Sequence, residues 1–302
     1  MKLIRTHSLD EAVTEIFGSH VHIAGRHSVY GGDINQSFRL QLSDGSSLFL
    51  KCSRPENLSF FEAEAKGLEV LRLADAVSVP KVLAAGTDPA QNHAFLLMEF
   101  LDAAPRIRGY WEIFGRELAA LHLAGTKGLS GSHDGLPFGF ESDNYIGASP
   151  QKNTPKESWI SFFRDCRLSP QINRAGHYLD SRKRRQCIRL LDHLNSYLTE
   201  PNHPSLIHGD LWSGNAGCGP DGKAWIFDPA AYVGHFEAEL AMTELFGCNP
   251  PAFYEAYKEV NPIDSGYRDR RDLYNLYHLF NHLNLFGSAY LGAVAGILDR
   301  YA

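Results

Sequence analysis

The sequence predicts an α+β fold of two lobes. Residues 1–101 form an N-terminal lobe, a five-stranded antiparallel sheet with one inserted helix, and residues 102–302 a mainly helical C-terminal lobe. Three observations carry this prediction. Strand-like segments separated by Gly/Asp turns fill the first part, helical periodicity dominates after Leu101, and the stretch from Pro204 to Pro229 interrupts it with short strands and turns.

Taken in order, Ser8-Leu9-Asp10-Glu11 reads as a capping box that opens a short helix closed by Gly18. Three strands follow, His22 to Tyr30, Gln36 to Leu42 and Ser47 to Cys52, broken by Gly31-Gly32-Asp33 and Ser43-Asp44-Gly45-Ser46. A helix from about Ser59 to Leu73 is expected next, with Ser59 as its N-cap. The strands around Pro80 to Leu83 and Ala94 to Glu99 complete the sheet. Helices are then predicted over Trp111 to Leu123, Trp159 to Cys166, Arg182 to Leu198, Glu237 to Leu245 and Asp272 to Tyr290. No internal repeat is present.

Composition narrows the class. A net charge of −6 lacks the basic excess of a dedicated nucleic-acid binder, yet leaves room for a nucleotide held by one cation and a metal. Five scattered cysteines, Cys52, Cys166, Cys187, Cys218 and Cys248, form neither a disulfide framework nor a zinc motif. The first residues lack the apolar run of a signal peptide, and no segment has transmembrane length, so a reducing cytoplasm and no membrane partner are expected. The oligomeric state is left open by the sequence, with a monomer favoured. The run Arg182-Lys183-Arg184-Arg185 precedes an amphipathic pattern and reads as a solvated helix start. The histidines His122, His193, His278 and His282 show no metal spacing.

The strongest chemical signal is His208-Gly209-Asp210-Leu211-Trp212-Ser213-Gly214-Asn215, followed by Trp225-Ile226-Phe227-Asp228. Phosphoryl transfer needs an acceptor for a hydroxyl proton and oxygen ligands that hold Mg2+ on the phosphates of ATP. Asp210 and Asn215 stand five positions apart, the Asp-to-Asn interval of a kinase catalytic loop, and Asp228 ends a short apolar strand from which it can bind metal. Lys51, at the end of Leu48-Phe49-Leu50, can reach phosphate oxygens if a helical carboxylate holds it. Glu62 and Glu64 both qualify. With Ser59 as N-cap, Glu62 falls at the capping-box position and pairs with Lys66. Glu64 shares the apolar face of Phe61, Ala65, Leu68 and Leu71 and needs a cationic partner there. Glu64 is therefore preferred. Gly32, Asp33, Ile34 and Asn35 sit in a strand–turn–strand where backbone N–H groups can approach phosphate. Met98, Glu99 and Leu101 would form the hinge, with the Glu99 carbonyl and Leu101 N–H facing an adenine edge.

Together these segments resemble the fructosamine kinase (ketosamine 3-kinase) family, related in fold to aminoglycoside phosphotransferases. The resemblance extends through Phe138-Gly139-Phe140, Asp143-Asn144-Tyr145-Ile146-Gly147, Gln151-Lys152-Asn153, Trp159 to Leu168, and Asn281 to Gly287. It implies a protein-kinase-like fold and ATP-dependent phosphorylation of the third hydroxyl of a ketosamine, after which the adduct falls apart and frees its amine. Free ketosamines and glycated protein lysines are both implied substrates, and bacterial-type relatives favour ribulosamines and erythrulosamines over fructosamines. The resemblance further implies Asp210 as base, Asn215 and Asp228 as metal ligands, and Lys51 with Glu64 as phosphate clamp. Trp212 is placed to pack on a sugar face, and His208 to orient the loop. One departure stands out: Phe236 and Glu239 occupy positions where the family usually carries arginine and aspartate.

A kinase for another small alcohol, such as an aminoglycoside, choline or homoserine, is the competing enzyme reading. A silent binding protein would be expected to lack Asp210, Lys51 or Asp228, and all are present. No arginine precedes Asp210, Asp228 is followed by Pro229 rather than Phe-Gly, and no Ala-Pro-Glu block occurs. Control by activation-loop phosphorylation is therefore not expected.

Overall fold

The computed structural model describes residues 4–6, 8–29, 36–129, 135–247 and 249–302. Strand β1 (Ile4–Thr6) and helix α1 (Leu9–Phe17) lead into β2 (Ile23–Ser28), β3 (Gln36–Leu42) and β4 (Ser47–Ser53). Helix α2 (Leu58–Leu73) follows, then β5 (Val82–Asp88) and β6 (His93–Glu99). The sheet order is β1-β5-β6-β4-β3-β2. The five expected strands are antiparallel to their neighbours, and β1 adds a sixth, parallel to β5.

Side-chain alternation decides what each face of this sheet does. Leu48, Leu50 and Cys52 of β4, with Phe95 and Leu97 of β6, pack under α1 with Leu9 and Val13. Ala94, Leu96 and Met98 face the other way, into the core shared with α2 and the helical lobe. Lys51 lies between Leu50 and Cys52, so the same alternation turns it toward α2 and away from the α1 core.

The helical part contains α3 (Tyr110–Leu123), the hairpin β7 (Asn144–Ile146) and β8 (Ser149–Gln151), and α4 (Trp159–Phe162). Helix α4 runs through a π-helical stretch, Phe163–Leu168, into α5 (Ser169–Arg174), and α6 (Ser181–Asp192) follows. Strands β9 (Ser205–Ile207), β10 (Ala216–Cys218), β11 (Ala224–Ile226) and β12 (Tyr232–Gly234) then build the interruption expected from the turn-rich sequence. Helices α7 (Phe236–Leu245), α8 (Pro251–Val260), α9 (Tyr267–Phe286) and α10 (Leu291–Tyr301) complete the chain.

Several boundaries differ from expectation for identifiable reasons. Helix α2 is already wound by the 3-10 turn Pro55–Asn57, so Ser59 lies inside it and is not its N-cap. Ser8 is the N-cap of α1 by conformation, but its side chain makes no capping bond. The helix expected up to Leu198 ends at Asp192, and the one expected up to Tyr290 ends at Phe286, where Gly287, with a φ of 89°, breaks it. Helices α8 and α10 were not anticipated.

Candidate active site

Strand β4 and helix α2 bring Lys51 and Glu64 together: Lys51 Nζ donates to Glu64 Oε1 at 2.7 Å and also to a carboxylate oxygen of Asp228. The preference for Glu64 over Glu62 is the arrangement found. Lys51 and Glu64 are nearly enclosed, whereas the Asp228 side chain is 37% exposed and opens this ion cluster to solvent. Burial opposes the charged form of Lys51, but the Asp228 and Glu64 carboxylates outweigh it and raise the ammonium above its ordinary value. Burial likewise pushes the Glu64 carboxyl up, with Lys51 opposing and the Asp228 charge adding.

The catalytic-loop candidates lie on the opposite wall. Asn215 Nδ2 donates to the Asp210 main-chain oxygen at 2.9 Å, to Asp210 Oδ2 at 3.3 Å and weakly to the Asp228 main-chain oxygen at 3.5 Å. Asp210, Asn215, Asp228 and Lys51 therefore converge on one place. Enclosure, then the charges of Asp228 and Glu239, raise the Asp210 carboxyl well above its usual value, with the Asn215 amide opposing.

Local sequence explains why the loop can take this shape. Gly209 has φ of 82°, and a Cβ there would lie 2.3 Å from the Ala230 main-chain oxygen. Only glycine fits. His208 is fully buried; its Nε2 lies 2.9 Å from the Phe227 main-chain oxygen and its Nδ1 3.3 Å from the Asp210 N–H. That pattern fixes the tautomer with the proton on Nε2, since Nδ1 must accept. Burial lowers the basicity of His208, so it stays neutral and ties the two halves of the site together.

Glu239, one of the two departures from the usual family pattern, supplies the support behind the loop. It is 1% exposed and accepts the main-chain N–H groups of His208 at 2.5 Å and Gly209 at 2.9 Å. Burial works against its charge, yet the nearby His122 ring and the His208 main-chain N–H outweigh it and hold the carboxyl below the ordinary glutamate range. Sequence reasoning noted Glu239 without assigning it a partner. The signal was available: a carboxylate within the apolar run of α7 needs one, as Glu64 does on α2.

Trp212 is 40% exposed, and its ring covers Gly214, where a Cβ would meet it at 2.3 Å. Met98 and Glu99 end β6, and the Glu99 carboxylate accepts the Lys81 N–H at 2.6 Å, bracing the segment that leads to Leu101. Gly32, Asp33, Ile34 and Asn35 lie outside the described residues, between β2 and β3.

The donor set suits a hard divalent cation. The amide nitrogen of Asn215 is engaged, and among the described residues nothing donates to its Oδ1. That amide oxygen and the half-open Asp228 carboxylate are oxygen donors of the kind that hard divalent cations accept.

A six-stranded lobe carrying a lysine–glutamate pair, set against a helical lobe carrying an Asp–Asn loop and a strand-terminal Asp, defines a phosphotransferase of the protein-kinase-like fold. Residues 6–302 match the family model described as fructosamine kinase. A probable ketoamine kinase of Synechocystis sp. is 38% identical over 288 residues, covering 94% of this chain and 92% of that protein. The chloroplastic protein-ribulosamine 3-kinase of Arabidopsis thaliana is 39% identical, covering 91% and 81%. A solved structure of a candidate fructosamine-3-kinase from Thermobifida fusca superposes with a TM-score of 0.81 at 34% identity, covering 97% and 98%. The chain belongs to the fructosamine kinase family and is an ATP-dependent kinase.

Proposed function

We propose that this kinase phosphorylates the 3-hydroxyl of ketosamines, with ribulosamine or erythrulosamine adducts of amines and protein lysines as the substrate class and fructosamines as further members. The convergence of Asp210, Asn215 and Asp228 on the Lys51–Glu64 pair is the observation that carries this reading. The names of the Synechocystis and Arabidopsis relatives support the acceptor class.

In this mechanism Asp210 accepts the proton of the acceptor hydroxyl as its oxygen bonds to the γ-phosphorus and the bond to the β–γ bridging oxygen breaks, releasing ADP. Lys51 holds phosphate oxygens, and Glu64 keeps its ammonium pointed at them. Asn215 and Asp228 hold Mg2+, which when bound neutralises phosphate charge. Gly32, Asp33, Ile34 and Asn35 cover the phosphates with backbone N–H groups, while Met98, Glu99 and Leu101 present main-chain groups to adenine. Trp212 packs on the sugar. Residues 1–101 act as the nucleotide lobe and residues 102–302 as the acceptor lobe. Cys52, Cys166, Cys187 and Cys218 are all free thiols, which supports a cytoplasmic setting. No helix among the described residues is long and apolar enough to cross a membrane.

The test is ATP consumption with Mg2+ against ribulosamines, erythrulosamines, fructosamines and aminoglycosides. Turnover of ketosamines with product phosphorylated at the third hydroxyl is expected. Turnover of aminoglycosides alone would overturn the acceptor assignment.

A further inference from the structure

The hairpin β7–β8 touches helix α2, which carries Glu64, and the segment that follows Asp228. We infer that it is a strut that sets the distance between Glu64 and Asp228, and that Tyr145 and Gln151 are positioning residues for the phosphoryl transfer proposed above, on which this inference rests. Strand alternation gives the hairpin two faces, with Asn144 and Ile146 buried inward and Tyr145 turned the other way.

The Tyr145 face grips α2. Its ring stacks on Phe60 with centroids 3.8 Å apart and planes 21° apart, and its hydroxyl lies 3.2 Å from Ser59 Oγ. Just before the hairpin, Glu141 pairs with Lys66 of α2 at 2.7 Å. Phe60 precedes Glu64 by four residues, one helical turn, so a shift of Phe60 is passed to Glu64 through a rigid helix.

The inner face grips the segment after Asp228. Gln151 Nε2 donates to the Ala230 main-chain oxygen at 3.0 Å, and Asn144 Nδ2 donates to that of Ala231 at 2.8 Å. Neither amide can flip. Asn144 Oδ1 already accepts from Gln151 and Asn153, and Gln151 Oε1 accepts the Tyr277 hydroxyl at 2.5 Å. Helix α2 closes the triangle, since a Cβ on Gly67 would lie 3.1 Å from Pro229. A strut of this kind does the work that an ordered activation loop does in a switchable kinase, without needing a modification.

Tyr145→Ala, Tyr145→Phe, Phe60→Ala and the Phe60→Ala/Tyr145→Ala double variant test this, with Gln151→Glu removing the NH2 group that donates to the Ala230 and Asn144 oxygens. Tyr145→Ala is expected to lower kcat about tenfold with acceptor KM within about twofold, while Tyr145→Phe, which keeps the ring stack, stays within about twofold of wild type. The double variant should be no worse than the poorer single one. Hydrogen exchange, measured without nucleotide or acceptor, should quicken in Tyr145→Ala over residues 58–73 and also over 226–234 across the hairpin. Faster exchange confined to residues 58–73, an unchanged kcat, or additive effects of the two ring deletions would overturn the strut. Because exchange needs no acceptor, failure to find a ketosamine substrate would count against the functional reading and leave this one decided on its own evidence.

Discussion

Replacing Glu239 with glutamine tests whether one buried carboxylate holds the catalytic loop. The side chains have nearly the same shape, but glutamine offers a single acceptor oxygen where glutamate offers two. In the native chain one oxygen takes the His208 N–H and the other the Gly209 N–H. In Glu239→Gln an NH2 group must face one of those donors, so one bond to a charged acceptor is lost and a buried N–H is left unpaired. Each of these costs about 1–3 kcal/mol, and about 3 kcal/mol together is a reasonable centre. For a chain of this size that predicts a fall in melting temperature of about 5–10 °C. The strain falls on the residue before Asp210, so kcat should drop tenfold or more, by about 1.4 kcal/mol or more in barrier height, with ATP affinity little changed.

The assay is thermal melting in parallel with steady-state kinetics, extended over pH. The Glu239 carboxyl sits below its ordinary value in the folded state, so its contribution to stability is complete above the unfolded value and is lost as pH falls through the folded one. The gap in melting temperature between wild type and Glu239→Gln should therefore hold from neutral pH down to about pH 5 and narrow only on further acidification. A variant melting within about 2 °C of wild type with kcat intact, or a gap that widens on acidification, would refute the assignment.

Two further outcomes are expected. Asp210→Asn should lower kcat by about three orders of magnitude while nucleotide affinity, measured by direct binding, changes less than about threefold; retained turnover would remove Asp210 from its role. Trp212→Ala removes a ring that is 40% exposed, so melting should hardly change, whereas the KM for the sugar acceptor should rise about tenfold; an unchanged KM would return Trp212 to a purely structural part.

Much of this arrangement was legible because it is local. Alternation in Leu48 to Cys52 and Ala94 to Met98 fixed which way Lys51 points, and the apolar stripe of Phe61, Ala65 and Leu68 separated Glu64 from Glu62. What escaped was set by distant partners. Strand β1 exists only because Ile4–Thr6 pairs with Ala84 to Gly86, and three residues carry no alternation to read. The start of α2 was misplaced because Ser59 and Glu62 mimic a capping box inside a helix that Pro55–Asn57 had already wound. The hairpin β7–β8 is held by the amides of Asn144, Gln151 and Asn153, polar residues that a hydrophobic pattern assigns to loops. Glu239 was visible as a departure, but the N–H groups it accepts belong to a loop some thirty positions earlier.

Asp228 shows how these non-local contacts serve the chemistry. Its φ of 58° is a conformation that a residue other than glycine adopts at a cost of about 1–3 kcal/mol. The flanking backbone is fixed on both sides: Phe227 N–H donates to the Asn215 main-chain oxygen at 3.1 Å, and Ala230 N–H donates to that of His208 at 2.9 Å. The Ala230 carbonyl is in turn held by Gln151, and the Ala231 carbonyl by Asn144. Four such bonds at about 1 kcal/mol net each match or exceed the strain, so the turn persists without any ligand to hold it. The aspartate is thereby aimed at Lys51 before a nucleotide arrives, and binding energy need not be spent on forming the turn. The same bonds run into the His208 segment, so a displacement of Asp228 is felt at Asp210 and the two carboxylates are positioned as a pair.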